Sequence, residues 1–163
     1  MMSDKITFMK KDDLLARIHT ERAAFAALWD GLSQEQMLQR PSVQEDWSVK
    51  DLIAHIIWWE NHMLENVIAA KSGADYHMVD DIDAQNVDVF NAHKDHDLAD
   101  VLSSFEANLA RLEEHIGALT EEQINTIQLP TYPLLEQIIG DTFAHYKAHR
   151  ADLERYVSQV KSG

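Results

Sequence analysis

Three histidines carry the chemistry that is legible in this sequence. His145 and His149 stand four residues apart in the stretch Gly140-Asp141-Thr142-Phe143-Ala144-His145-Tyr146-Lys147-Ala148-His149-Arg150. On a helix that spacing places them one above the other on a single face. Two imidazoles so placed reach one metal ion, as do the paired histidines of H-E-x-x-H sites, although the glutamate of that motif is absent here. His55 lies three residues after Leu52 and four before Trp59, on or at the margin of another helix's apolar stripe. Three neutral imidazoles projecting inward from facing helices, with water at a fourth position, would make an open site of the catalytic zinc type. Imidazole also suits nickel, copper and iron, so ligand type alone does not select the metal; zinc or nickel is expected first, with iron as a further candidate. The competing reading is that these are core histidines, each hydrogen-bonded to a neighbour. Both readings stand at this point.

Other residues could serve such a site. Asp141 precedes His145 by one turn and Asp51 precedes His55 by one turn, so either carboxylate could take an imidazole N–H and fix its tautomer. Asp51 has a competing role as a helix cap. Glu60 lies five residues after His55, about 140° round the helix, as a base across the mouth of a pocket or as a solvated helix charge. Trp59, Asn86 and Tyr146 are candidates for a pocket wall, against plain core, a helix-end contact and a flanking position. Tyr146 with Arg150 could meet an anionic group, and Trp58 could belong to a dimer face.

The totals bound what remains. A chain of 163 residues with 45% apolar and 26% charged side chains has the balance of a soluble globular protein and fits one domain, 1–163. The absence of cysteine excludes disulfides, thiolate ligands and a cysteine nucleophile. A formal charge of −14 without a Lys/Arg-rich run predicts no nucleic-acid partner and no anionic membrane partner. The first residues, Met1-Met2-Ser3-Asp4-Lys5, are not followed by a signal-like apolar segment. No apolar run approaches the roughly 20 residues of a membrane span, so a cytoplasmic protein is expected.

Helices must position these residues, because five glycines and three prolines leave little punctuation for many short strands. The first long helix is expected from about Lys11 to Gly31, with Leu14, Ile18, Phe25, Leu28 and Trp29 at helical spacing. A short helical turn, Ser33 to Arg40, follows and ends at Pro41; residues 41–47 connect. Ser48-Val49-Lys50-Asp51 reads as a capping box, with Trp47 and Leu52 as a hydrophobic staple, opening a second helix to about Lys71 with Gly73 beyond it. Asp80 or Asp81 caps a shorter helix ending near His93, on which Ile82, Asn86, Val89 and Phe90 share a face. The third long helix spans about Asp97 to Leu119 and carries the most regular apolar stripe. A second short helical turn follows from Thr120 to Ile124, then an extended linker over 125–132. The fourth long helix is expected to run unbroken from about Pro133 to Val157. Four long amphipathic helices with substantial connections predict an all-α four-helix bundle.

The segment Trp47-Ser48-Val49-Lys50-Asp51-Leu52-Ile53-Ala54-His55, with Trp59-Glu60, resembles the second-helix signature of the DinB/YfiT-like superfamily. Phe143 to Arg150 resembles its final helix. Leu98 to Leu119, preceded by Asp83-Ala84-Gln85-Asn86, is most similar to the branch containing the ClbS/DfsB proteins. The resemblance covers nearly the whole chain. It implies an up-and-down bundle, frequent homodimers, and a divalent metal held by three histidines that map onto His55, His145 and His149. Several superfamily members are thiol-dependent transferases or isomerases, whereas the ClbS branch includes a self-resistance hydrolase and often lacks the full triad. The expected functions are a metal-dependent enzyme acting on a small molecule, as hydrolase or thiol-dependent transferase, or a protein that sequesters a reactive small molecule without turnover. A bundle whose histidines only pack is the third reading.

Overall fold

A computed structural model describes residues 6–44 and 46–163. The N-terminal Met1–Lys5, considered above for a leader, and Glu45 of the connector lie outside them. Eight helices are present among the described residues: α1 Lys11–Ala27, α2 Gln34–Leu38, α3 Val49–Ser72, α4 Ile82–His93, α5 Leu98–Gly117, α6 Glu121–Thr126, α7 Leu134–Gly140 and α8 Phe143–Lys161. Polar caps set several starts. Ser33, Ser48 and Thr120 each close a capping box, and Asp81 accepts from the Ala84 amide. Gly73 ends α3 in the left-handed region at φ 75°, where an L side chain would be strained.

The expected four-helix bundle is present, formed by α1, α3, α5 and the α7–α8 pair. Contacts across it fix the helix directions. Lys11 Nζ reaches the carbonyls of Gly117 and Leu119, and Arg22 reaches that of Phe105, so α1 and α5 are antiparallel. Lys50 meets the carbonyls of Lys94 and His96, and Lys71 that of Ala118, so α3 and α5 run parallel. Arg17 lies over Phe143 and Tyr156 bonds the Gln36 carbonyl, so α1 and α8 also run parallel. The order is up, down, down, up, so the helices do not alternate as the expected up-and-down bundle would, because α3 and α5 run parallel. Returning the chain from the end of α3 to the start of a parallel α5 takes residues 73–97, and α4 lies in that return, packed on α3.

α3 is the most buried helix, because it meets α5 along its length and also touches α2, α4, α7 and α8. Leu52, Ile53, Ile56, Met63 and Leu64 join Leu14, Ile18, Phe25, Leu112, Ile116, Ile138 and Leu153 in the apolar core.

Two expectations on boundaries change. α1 ends at Ala27, and residues 28–31 form turns instead of a last helical turn. The expected 133–157 helix is broken at Asp141 and Thr142. Gly140 is a weak helix former, Thr142 leaves the helical region at φ −119° and ψ −112°, and its hydroxyl donates to the Ile138 carbonyl at 2.6 Å. Buried side chains continue through the break (Leu135, Ile138, Phe143, Tyr146), so apolar spacing does not reveal it.

At the centre of the bundle Glu60 is completely buried. Its carboxylate accepts from Arg22 Nε at 2.9 Å and Nη2 at 3.1 Å, from Asn108 Nδ2 at 2.7 Å, and from the Tyr146 hydroxyl. Arg22 also lies 3.6 Å from the centroid of the Phe105 ring. One carboxylate thus ties α1, α3, α5 and α8 together. Removing one partner of a buried ion pair strands the other charge, whereas replacing both by apolar groups does not. Glu60→Ala is therefore expected to lower the unfolding free energy by about 3–5 kcal/mol, and Arg22→Met combined with Glu60→Leu to recover most of that loss. Urea denaturation of the three proteins decides it; a Glu60→Ala loss below about 1 kcal/mol would contradict the pairing energetics.

Candidate metal centre

His55 is placed by the capped start of α3, and His145 and His149 by the first turns of α8. The Nε2 atom of His55 lies 3.0 Å from that of His145, which lies 3.1 Å from that of His149. The three ligand atoms are all within 4.8 Å of one another. His55 is buried, and His145 and His149 are half-buried at the margin of the core. The core face of α8 is carried instead by Phe143, Tyr146, Leu153 and Tyr156.

The donor set fits a divalent cation. Burial, with the neighbouring imidazoles adding to it, pushes the His55 pKa down to about 2 and that of His145 down to about 3; burial also lowers that of His149. Three neutral rings therefore converge. His145 Nε2 faces both neighbours with only one lone pair or one proton to offer, so no choice of tautomers satisfies both contacts. A shared cation does. Tetrahedral zinc–nitrogen distances of about 2.0–2.1 Å put neighbouring nitrogens roughly 3.3–3.4 Å apart, close to the His55–His145 and His145–His149 spacings.

The supporting carboxylates do not stand behind the rings as expected. Asp51 accepts from Ser48 and from Arg40 at 2.7 and 2.8 Å, which holds its pKa below the usual range despite burial. The Nδ1 atoms of His55 and His145 are buried with no hydrogen-bond partner among the described residues. Asp141 lies in the wall of the cavity beside the histidines, where burial, opposed by Gln137 and aided by Glu60, pushes its pKa up to about 7.

The three histidines open onto a cavity of about 580 Å³ whose wall includes Trp47, Trp59, Asn86 and Asp141. Trp59 donates its indole N–H to Asn86 Oδ1 at 2.9 Å, which fastens α4 over α3. Glu60 and Tyr146 are not in this wall. Glu60 is turned into the core rather than across a pocket mouth, because Arg22, Asn108 and Tyr146 surround its carboxylate. Tyr146, one residue past His145, points the other way, bonded to Glu60 and stacked on Phe25. Its hydroxyl pKa is raised well above the ordinary value by burial and by Glu60. Trp58 is half-buried and stacked on His62, and Arg150 pairs with Glu154 at 2.7 Å.

Sequence reasoning missed Trp47 as a cavity residue. Its ring centroid is 4.8 Å from that of His55, and it also stacks on Phe90. A tryptophan immediately before the cap of the helix that carries His55 was the available signal. Ile82, Asp83 and Val87 of α4 also line the cavity; of these only Ile82 shares the stripe with Asn86.

Comparison with known proteins agrees with this architecture. No curated protein matches the chain. A protein from Streptococcus pneumoniae superposes with a TM-score of 0.75 at 15% identity, over 93% of this chain and 92% of that one. The colibactin self-resistance protein ClbS, in complex with a dsDNA, superposes with a TM-score of 0.79 at 13% identity, over 90% and 94%. The sibling lethal factor precursor DfsB superposes with a TM-score of 0.79 at 17% identity, over 94% and 98%. The ClbS complex overturns the expectation that nucleic acid is excluded. A bundle of this shape holds duplex DNA, and net charge is the wrong measure, since phosphate contacts depend on a local group of cations. A family model described as the DinB superfamily matches residues 17–152, and the chain belongs to that superfamily.

Proposed function

We propose that this chain is a metal-dependent protein of the DinB superfamily that acts on a small molecule in the cavity above His55, His145 and His149. The convergence of three neutral Nε2 atoms on that cavity carries the reading. A divalent ion there, zinc or nickel first and iron as the alternative, would supply Lewis-acid activation for hydrolysis or for group transfer to a thiol. Trp47 and Trp59 would shield the site from water, and Asp141, titrating near neutrality, would hold or release a proton in the cavity wall. A cytoplasmic homodimer belongs to the same proposal; no helix among the described residues is long and apolar enough to cross a membrane.

A second reading is sequestration of a reactive small molecule without turnover. It is favoured by the aromatic cavity wall and by the fold shared with a self-resistance protein. Product formed in many-fold excess over protein would exclude it. Duplex DNA is a partner to test in either case. Arg17, Lys147 and Arg150 gather at a cleft of about 240 Å³ between α1 and α8. A labelled duplex bound there is expected to lose affinity steeply as salt rises from about 50 to 200 mM. Anisotropy that shows no binding at low salt would remove DNA from consideration.

Metal uptake is the direct test. Untagged protein is expected to carry or take up about one divalent ion per chain, and His55→Ala or His145→Ala to take up less than about a tenth of that. At a metal concentration near 100 Kd the wild-type melting temperature should rise by about 5–10 °C, and that of the variants should not. Elemental analysis and thermal melts decide the point. Equal uptake by His145→Ala would end the proposal.

The metal-free protein has a predictable acid response. The folded pKa values of about 2 for His55 and about 3 for His145 lie below the ordinary histidine value of 6.5. Between those limits the unfolded chain binds more protons, so stability is full above pH 6.5 and falls as pH drops toward the folded values. Asp141 runs the opposite way: its value of about 7 exceeds the ordinary 3.8, so its contribution is present at low pH and lost as pH rises through 7. Urea midpoints measured at pH about 7 and about 5 should therefore fall less in His145→Ala than in wild type, and more in Asp141→Asn.

A further inference from the structure

A second cavity, of about 400 Å³, lies in the groove between α3 and α5 and shares no lining residue with the histidine cavity. Ala54, Ile57, Trp58 and Asn61 reach it from one face of α3, at helical positions i, i+3, i+4 and i+7. Asn108 and Arg111 reach it from α5. A divalent ion on His55, His145 and His149 would touch none of these side chains.

Arg111 stands at one end of the groove, exposed and without a carboxylate partner among the described residues. Arg22, Arg40, Arg150 and Arg155 each pair with a carboxylate. The Nη1 of Arg111 instead donates to Asn61 Oδ1 and, at 3.0 Å, to Asn108 Oδ1. Asn108 is itself buried and held, because its Nδ2 donates to Glu60 at 2.7 Å. Two side-chain amides thus fix the guanidinium without neutralising it. The edge that carries Nε–H and Nη2–H has no hydrogen-bond partner among the described residues. That edge is a fork that grips a carboxylate with two parallel bonds.

Trp58 offers a surface for a ligand body. It stands one turn before Asn61, half-buried, with its ring parallel to that of His62 at 5.3 Å and edge-on to that of Trp59 at 4.9 Å. Held on two sides, the indole loses little freedom when a ligand arrives. Charge limits the occupant. Asp100 lines the same groove three turns before Arg111, about 16 Å away along α5. With a formal charge of −14 on the chain, a doubly charged anion meets more repulsion than a singly charged one. That wider field is screened beyond roughly 8 Å at physiological ionic strength, whereas a carboxylate on Arg111 is in direct contact.

We propose that this groove binds small aromatic monocarboxylates, with Arg111 taking the carboxylate and Trp58, Ile57 and Ala54 the ring. The site is separate from the metal centre and does not rest on it.

The test is calorimetric titration of the untagged, zinc-incubated full chain with cinnamate, with its uncharged isostere cinnamamide and with phenyl phosphate. Cinnamate is expected to bind at least ~10-fold more tightly than cinnamamide, and more tightly than phenyl phosphate. Arg111→Gln should reduce the preference for cinnamate over cinnamamide below about threefold, and Arg111→Lys, which keeps the charge and loses the fork, should weaken cinnamate severalfold. Trp58→Leu should weaken cinnamate and cinnamamide alike. His145→Ala, which removes a metal ligand, should leave both affinities within about twofold of wild type. Loss of cinnamate binding in His145→Ala would place the anion on the metal and overturn the proposal. So would equal binding of cinnamate and cinnamamide, a preference unmoved by Arg111→Gln, tighter binding of phenyl phosphate, or no binding by any of the three probes.

Discussion

A single buried carboxylate holds the four long helices in register. Glu60 accepts from Arg22, Asn108 and Tyr146, and through them from α1, α5 and α8. Such a group is costly to desolvate, and apolar side chains would fill the same space with less risk. What it adds is direction. Apolar stripes slide past one another by a turn at small cost, whereas a carboxylate with every lone pair taken fits one alignment only. That alignment matters one turn away. Tyr146 is the sequence neighbour of His145, and Glu60 is on the same helix as His55, so the bond between α3 and α8 at the core also sets the 3.0 Å approach of the histidines.

The start of α3 is the second fixed point. Ser48 and Asp51 close the cap, Arg40 clamps Asp51, and Lys50 collects the carbonyls that end α4. The cap therefore joins three segments distant in sequence, and it places Trp47 against His55. Asp51, expected behind an imidazole, serves the fold instead. The depressed pKa values of His55 and His145 follow from the same enclosure, because burial and then the neighbouring imidazoles both disfavour the charged rings.

The sequence showed much of this, and the misses have physical causes. Periodicity located the long helices, and the capping box at Ser48 placed one start to the residue, since both signals arise from local geometry. The stripe placed His55 on a buried face, and spacing set His145 and His149 one above the other, but these two lie at the margin of the core and not on the inward face that the stripe predicted. Periodicity could not register the break at Thr142, because side chains before and after it remain buried. It also could not tell Tyr146 from a cavity residue or Glu60 from a surface charge. Both are defined by Arg22, which comes from a helix distant in sequence. Helix directions were invisible for a related reason: a stripe looks the same read up or down, and only contacts such as Lys50 with Lys94 and His96 reveal that α3 and α5 run parallel. Net charge could not exclude nucleic acid, as the dsDNA complex of ClbS shows for this fold, because a sum over 163 residues says nothing about where cations lie.

The parallel course of α3 and α5 has a consequence for how this architecture diversifies. A connection that must travel the length of the bundle cannot be a tight turn, so the chain carries a segment whose length and sequence the core scarcely constrains. Here that segment is α4. It buries only Val89, yet it supplies Ile82, Asp83, Asn86 and Val87 to the cavity. The wall facing a ligand can thus be rewritten while the histidines and the buried carboxylate stay as they are. The return segment acts as an exchangeable panel, and ligand range is expected to vary with it more than with any of the four long helices.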